Sequence, residues 1–511
     1  MLLIDVVTTS GAVAATRSRL AKVRALASLI AQAGAEAGPA VAFLSGAPRQ
    51  GRTGIGYRTL YELEVQPAAE PSLTVERTDA VLEELSTTSG KGSAQRRSEL
   101  LTSLFGAATS AEQEFLRRLL TGELRQGALE GVMLDAIAAA AEVPAEPVRR
   151  AFMLSGHLPV TAVAALTGGQ PELESFRLEV GRPVRPMLAS PAASLEDALA
   201  ELGECVVEYK MDGARIQVHK DGDSVHVFTR TLREITKSVP ELVDLVRELP
   251  CGSVVLDGET LALTDDGKPR PFQETMSRFG ATSERELLLH PYFFDCLHLD
   301  GTDLLDAPLS ERNEALRAAV GKHVIPGLVA PSPEQASHLM AEALEAGHEG
   351  VMVKALTSAY AAGRRGKAWQ KVKPEHTLDL VVLAAEWGHG RRTGYLSNLH
   401  LGARDPDGGP PIMVGKTFKG MTDELLAWQT TELQKIKTQD QTESWVVHVR
   451  PEFVVEIELD GAQISPRYPG GVALRFARVL RYRPDKTPAE ADTITAVRAL
   501  LPQKGTPPPT T

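Results

Sequence analysis

Near residue 171 the sequence changes texture, and no single layered fold accommodates both sides of the change. Residues 1–170 are rich in Ala and Leu at helical spacing. Leu20, Val23 and Leu26 fall three apart, Leu29 and Ile30 continue the stripe, and basic residues lie between them. Residues 117–120 and 132–136 follow the same pattern. A Pro-rich entry at 181–189 then opens a stretch to about residue 374. There, short β-branched runs such as Val254-Val255-Leu256 and Val351-Met352-Val353 alternate with helices, the pattern of an α+β domain. From Leu378 to about Leu501 the runs read mostly as strands (380–383, 411–414, 453–457), with a helix at 424–428. At 511 residues the chain is also too long for one ordinary core. The reading is a multi-domain chain: an all-α domain over 1–172, an α+β domain over 173–376 and an all-β domain over 377–503. The last has the size of a small OB-type barrel. Residues 504–511, with Pro507-Pro508-Pro509, read as a disordered tail.

Charge and cysteine content narrow the function classes. A net charge of −11 excludes a uniformly basic nucleic-acid binder but not local basic patches. Cys205, Cys251 and Cys296 are widely spaced and odd in number, which points to buried thiols in a reducing compartment. No Cys or His pair has zinc-ligand spacing. No apolar run approaches membrane-spanning length, and the start Met1-Leu2-Leu3-Ile4-Asp5 lacks the basic region of a signal peptide.

One short stretch concentrates chemistry: Glu208-Tyr209-Lys210-Met211-Asp212-Gly213-Ala214-Arg215. Apolar Cys205-Val206-Val207 leads in and the alternating Ile216-Gln217-Val218-His219 leads out. The pattern predicts a hairpin with its turn at Asp212-Gly213. Lys210 at its mouth is either a solvated charge or a held nucleophile. Three Gly-containing loops in the helical part, at 51–57, 89–97 and 121–127, are either ordinary helix connections or backbone cradles for phosphate. The second lacks the spacing of a nucleotide-binding P-loop.

Further candidates follow in a fixed order: Arg230; Glu259, ending Leu256-Asp257-Gly258-Glu259; Phe294, in Tyr292-Phe293-Phe294-Asp295; Glu349, opening Glu349-Gly350-Val351-Met352-Val353-Lys354; the basic run 364–373; and, last, Arg475-Phe476-Ala477-Arg478-Val479-Leu480-Arg481-Tyr482-Arg483-Pro484-Asp485-Lys486. This ordered set resembles the covalent nucleotidyltransferases, and closely the ATP-dependent DNA ligases of the archaeal-type layout also found in actinobacteria. Ala477 stands where many members have Pro, which alters backbone stiffness but removes no functional group. Gly92-Ser93-Ala94-Gln95-Arg96 and Gly122-Glu123-Leu124-Arg125-Gln126-Gly127 match the phosphate-gripping loops of the ligases' DNA-binding domain, so the resemblance covers nearly the whole chain.

The resemblance implies a ligase that uses ATP as AMP donor with Mg²⁺ or another divalent cation, acts on nicked double-stranded DNA, and works in the cytoplasm as a monomer. Lys210 would attack the α-phosphorus and carry AMP as a lysyl-adenylate. An ordinary lysine, with a pKa of ~10.4, is almost wholly protonated at neutral pH, so nearby cations must favour its neutral form. Glu208 would read the adenine edge and Phe294 would stack on the ring. Arg215 and Arg230 would meet phosphate oxygens and sugar. Glu259 and Glu349 would lie near the metal. Arg365 and Lys371 would neutralise the α-phosphate, with Lys373 in support and Arg185 at the domain entry as another phosphate contact. Arg483 and Lys486 would orient the departing pyrophosphate from a barrel that pivots between Pro374 and Asp379. Arg478 and Arg481 are either phosphate contacts or outer-strand charges. The rival readings are an mRNA capping guanylyltransferase or RNA ligase, which commonly lack the helical domain, and a non-catalytic DNA-binding scaffold, against which the intact Lys210, Glu259, Glu349 and Lys371 speak.

Overall fold

The structure is a computed structural model, and it describes residues 1–51, 53–124, 126–127, 130–264, 267–270, 275, 288–361, 365–388, 392–417, 421–438 and 445–501. The expected tail at 504–511 lies outside the described residues.

The Ala- and Leu-rich stretch folds as helices, among them Arg19–Gln32, Ala37–Ser45, Ser93–Ala107, Ser110–Leu120, Glu130–Ala140, Ala145–Ser155 and Leu158–Ser175. Local signals set their ends. Ser18 accepts from the Ala21 amide. Thr109 and Glu112 form a reciprocal capping box ahead of the buried Phe115, Leu116 and Leu119. In Arg19–Gln32 the buried stripe is Leu26, Leu29 and Ile30, whereas Leu20 in the first turn is 58% exposed. One apolar cluster including Phe43, Leu104, Phe105, Ile137 and Phe152 fills this domain. The last helical stretch breaks at Gly169, whose backbone is not helical (φ 63°), and its second part runs on to Ser175.

The middle of the chain forms two five-stranded sheets. Its strands are β1 (Leu188–Pro191), β2 (Cys205–Lys210), β3 (Ala214–Asp221), β4 (Ser224–Thr229), β5 (Ser253–Ala262), β6 (Leu289–Leu299), β7 (Thr302–Asp303), β8 (Gly327–Val329), β9 (Gly350–Ala355) and β10 (Arg365–Val372). The sheet orders are β1-β10-β9-β2-β8 and β4-β3-β5-β6-β7. This corrects the hairpin expectation: β2 pairs with β8 and β9, β3 pairs with β4 and β5, and the two strands do not pair with each other. Residues 211–213 instead carry the chain from one sheet to the other. Gly213 makes the crossing possible, because a Cβ there would lie 2.5 Å from the Thr260 carbonyl oxygen and 2.6 Å from Leu261 Cδ2. A two-residue turn signal is the same in a hairpin and in a crossing between sheets; only long-range pairing separates them.

The remaining strands are β11 (His376–Trp387), β12 (Leu396–Ala403), β13 (Ile412–Lys416), β14 (Val446–His448), β15 (Val454–Leu459), β16 (Ala462–Ile464), β17 (Val472–Leu474) and β18 (Arg478–Tyr482). They build an antiparallel sheet of order β13-β12-β11-β15-β18, with β14 also on β11, and a separate β16-β17 pair. Helix Asp423–Lys435, capped by Thr422, packs on this sheet through Leu433. Since β11 begins at His376, Asp379 is already held in this sheet opposite Glu456. The connection from the middle domain is therefore residues 373–375, shorter than the 374–379 expected for the pivot.

The helical and middle domains share a core. Met153 and Leu154 pack with Val184, Met187 and Leu297, and Arg150 forms a two-bond ion pair with Asp306 at 2.5 and 2.7 Å. Among the described residues no helix is long and apolar enough to cross a membrane.

Candidate functional site

Strand register assembles the site. Lys210 lies opposite Gly350, Glu208 opposite Met352, and Val206 opposite Lys354; on the other side of β9, Met352 lies opposite Lys371 and Lys354 opposite Trp369. Directly opposed residues share a face, so Lys210, Glu208, Lys354, Trp369 and Lys371 line one surface. That surface meets Arg215, Asp257 and Glu259 from the second sheet, where Arg215 lies opposite Glu259.

Lys210 is held at the end of β2. Its Nζ donates to Glu349 Oε2, and the Glu349 amide donates to the Lys210 carbonyl at 2.9 Å. Gly350, next in the chain, lets the end of β10 approach: its φ is +142°, and a Cβ there would lie 2.3 Å from the Val372 carbonyl oxygen. Asp212, in the crossing, accepts from Arg475 of the C-terminal domain at 2.7 and 3.3 Å. Arg475 Nη2 also stands 3.7 Å from Glu349 Oε1. Lys373 is ion-paired to Asp460, again of the C-terminal domain. Two pairs thus seat that domain on the site, and neither Arg475 nor Asp460 was expected from sequence.

Among the described residues, Glu259 is surrounded by charges rather than paired. Burial pushes its carboxyl up to about 8, with Arg215 and Lys210 opposing. Its folded value then lies above an unfolded value of ~4.3, so its contribution to stability is complete at low pH and is lost as pH rises through about 8. In metal-free buffer, Glu259→Gln should gain about 1 kcal/mol or more over the parent protein between pH ~5 and pH ~9. Thermal melts across that range test it; parallel curves would mean that Glu259 ionises like an exposed carboxylate.

Arg215 is committed to structure. Its Nε and Nη2 donate to Asp257 at 3.0 and 2.6 Å, and its Nη1 to the Met187 carbonyl at 2.7 Å. Burial opposes its charge, but Asp257 more than restores it. Tyr360 donates to the same Asp257 at 2.7 Å. The guanidinium carbon lies 5.4 Å from the centre of the Phe294 ring. Phe294 stands edge-on to Trp369, and the Lys354 ammonium lies 4.4 Å from the Phe294 ring centre and 4.5 Å from Trp369. Lys354 is also paired with Glu208 at 2.5 Å, and both are buried. Burial raises the Glu208 carboxyl, with Lys354 opposing. Lys371 is pushed down, first by burial and then by Lys210 and Lys373.

Other expected residues stand elsewhere. Arg230 is exposed at the turn after β4. Arg365 begins β10, but its side chain lies outside the described residues, as does Arg364 entirely. Arg185 stays at the domain junction, donating to the Gly156 carbonyl at 3.2 Å, paired with Glu130 at 3.2 Å and stacked over Phe152. Arg478 and Arg481 pair with Glu458 and Glu456 on the neighbouring strand, the outer-strand alternative. Arg483 and Lys486 are not at Lys210 here: both bond Asp379, Arg483 at 3.0 and 3.2 Å and Lys486 at 2.5 Å. Lys354, Asp257, Asp379 and Arg475 are the residues missed. Lys354, Asp257 and Arg475 lie inside the motif stretches; Asp379 becomes meaningful only through its partners.

In the helical domain Arg97 ties two of the Gly loops together, donating to Gly54 at 3.0 Å and to Thr88 at 2.9 and 3.3 Å. Lys22 supports the third through the Gln126 carbonyl at 2.9 Å. Arg52 and Arg125, at two of these loops, lie outside the described residues.

Three family models match the chain: ATP dependent DNA ligase domain over residues 186–373, DNA ligase N terminus over 63–138, and ATP dependent DNA ligase C terminal region over 392–486. A Saccharopolyspora erythraea protein named "Probable DNA ligase" is 69% identical over 499 residues, covering 98% of each chain. A Rhodococcus jostii protein of the same name is 68% identical over 504 residues, covering 98% of this chain and all of that one. A solved structure titled "Pmar-Lig_PreS3" matches with a TM-score of 0.63 at 17% identity, over 94% of this chain and 99% of the other, a likeness of fold.

Proposed function

The chain belongs to the ATP-dependent DNA ligases, and from that premise we propose that Lys210 is its covalent nucleophile, passing AMP to the 5′-phosphate of a nick in duplex DNA. The observation that carries this reading is the placement of Lys210. It ends a strand where the chain crosses between two sheets, bonded to Glu349 and close to Glu259 and Lys371.

In the first step Nζ, having lost its proton, bonds to the α-phosphorus of ATP as the bond to the bridging oxygen breaks and pyrophosphate leaves. AMP then passes to the 5′-phosphate of the nick, and the 3′-hydroxyl displaces AMP to close the strand. Lys371 is proposed to neutralise charge on the α-phosphate throughout, with Arg365 beside it. Arg230 is proposed for phosphate or sugar. Arg215, with its nitrogens committed to Asp257 and Met187, fixes the wall on which Phe294 rests rather than reaching freely for phosphate.

Glu259 and Glu349 would hold a magnesium ion. Among the described residues no group of three or more His, Cys, Asp or Glu could hold a metal. Two carboxylates fit an ion that keeps waters and takes phosphate oxygens instead of an all-protein cage. Such an ion supplies charge neutralisation and polarises the phosphate.

The Glu208–Lys354 pair beside Phe294 presents an acceptor next to a donor. Adenine offers the complement, an exocyclic amine beside an unprotonated ring nitrogen, whereas guanine reverses the pattern. Incubation with α-labelled ATP or GTP and Mg²⁺, followed by denaturing electrophoresis, should label the protein from ATP alone. Glu208→Gln should cost about 1–3 kcal/mol of ATP preference, read as the ratio of labelling rates. Labelling of the parent protein by GTP at an equal rate would reject both the base reading and the nucleotide choice.

The helical domain, with its tied Gly loops, is proposed to grip DNA phosphates. The β domain is proposed to be an OB-type barrel, and the working division remains 1–172, 173–376 and 377–503. The enzyme is proposed to act as a monomer in the cytoplasm.

A further inference from the structure

We propose that Asp379 is a positioning residue for self-adenylation: it holds Arg483 and Lys486 side by side as one seat for the departing diphosphate. The proposal rests on the reading that these two cations serve pyrophosphate release.

One buried carboxylate takes both cations. Arg483 Nη1 reaches its two oxygens at 3.0 and 3.2 Å, and Lys486 Nζ reaches Oδ2 at 2.5 Å. The carboxylate is itself immobilised. The Asp379 amide donates to Asp492 Oδ2 at 2.7 Å, and the Asp492 amide returns to the Asp379 carbonyl at 2.8 Å. The cations are also held at their roots. The Arg483 amide donates to the Val454 carbonyl at 2.8 Å, and the Lys486 amide to the Arg483 carbonyl at 3.1 Å, closing the turn 483–486. Asp485 takes Arg483 Nε and Nη2 at 2.9 and 2.7 Å, which fixes the plane of the guanidinium.

Two consequences follow from these bonds. First, Arg483 has five N–H donors and Lys486 three. After Asp379 and Asp485 are served, Arg483 keeps one donor on Nη2 and Lys486 keeps two, and the Lys486 side chain is 32% exposed. A diphosphate can therefore be met without breaking the cluster. Second, every partner named lies in the C-terminal sheet or its connecting turns, with Asp379 paired between β strands opposite Glu456. The cluster thus travels as a unit when that domain moves about residues 373–375. Two flexible cations that repel each other would otherwise splay, and ordering them at the moment of reaction would slow it.

The test uses full-length Asp379→Asn, which keeps size and one acceptor but removes the charge that holds two cations. Single-turnover lysyl-adenylate formation from ATP should fall about tenfold or more, while sealing of a nick already carrying 5′-adenylate stays within about twofold. Asp379→Glu should restore part of the loss, and adding Asp379→Asn to Arg483→Ala/Lys486→Ala should cost nothing further. An equal loss on both substrates would mean a merely structural role and overturn the proposal. Faster adenylation would overturn it too, since Asp379 would then be restraining the pair. The double alanine variant separates the two readings. If it adenylates normally, the pyrophosphate reading fails and takes the proposal with it. If it is crippled while Asp379→Asn matches the parent, only the role of Asp379 fails.

Discussion

Lys210→Ala protein will take no label from α-labelled ATP and will seal no nick when ATP is the only source of AMP. The loss is total because no neighbouring group can substitute. Lys371 extends from another strand, and Lys373, in the connection that follows it, is engaged with Asp460. The fold should survive, since the side chain is a partly exposed member of one ion pair and its partner Glu349 retains Arg475 at 3.7 Å. The same protein should still close a nick supplied with 5′-adenylate, because the final displacement forms no bond to lysine. Denaturing electrophoresis reads the first outcome and a gel of the DNA strands reads the second. ATP-derived label surviving on Lys210→Ala would reject the nucleophile assignment.

Arg483→Ala combined with Lys486→Ala should lower self-adenylation by about 10²-fold or more, the scale of removing charge stabilisation from a transition state. The structure sharpens the reason. The C-terminal domain here presents Arg475 and Asp460 to the site, while Arg483 and Lys486 rest on Asp379. For the second set to reach the β- and γ-phosphates, the domain must turn about residues 373–375. After AMP is on Lys210 those phosphates have gone, so the variant should join a pre-adenylated nick at close to the parent rate. Single-turnover rates on the two substrates decide the matter. Equal losses would place these residues in the DNA steps and end the moving-cap reading.

Much of the site was legible because its residue types are chemically scarce and their order along the chain is restrictive. A lysine beside Asp-Gly, two later glutamates each next to glycine and a basic run on a strand do not often occur in that sequence by chance. The shared faces of Lys210 and Lys371, and of Arg215 and Glu259, follow from β alternation, whereas Glu349 precedes β9 and meets Lys210 only through tertiary contact. The helical stripe was legible for the same local reason, although Leu20 shows that a first-turn residue can satisfy the period and still face water.

What the sequence by itself determined is the set of local preferences: where helices stop and strands begin, which side chains can attack, bind metal or hold phosphate, and in what order they come. Tertiary structure alone decided pairing. It turned the expected hairpin into a crossing between two sheets, because Gly213 allows an approach to Thr260 that no local signal encodes. It committed Arg215 to Asp257, took Arg185 to a domain junction, and brought Arg475 to Asp212 across 263 residues. The physical reason is common to all of these. A charged side chain takes whichever opposite charge the folded chain brings within about 3 Å, and that partner is set by long-range packing rather than by neighbours in sequence.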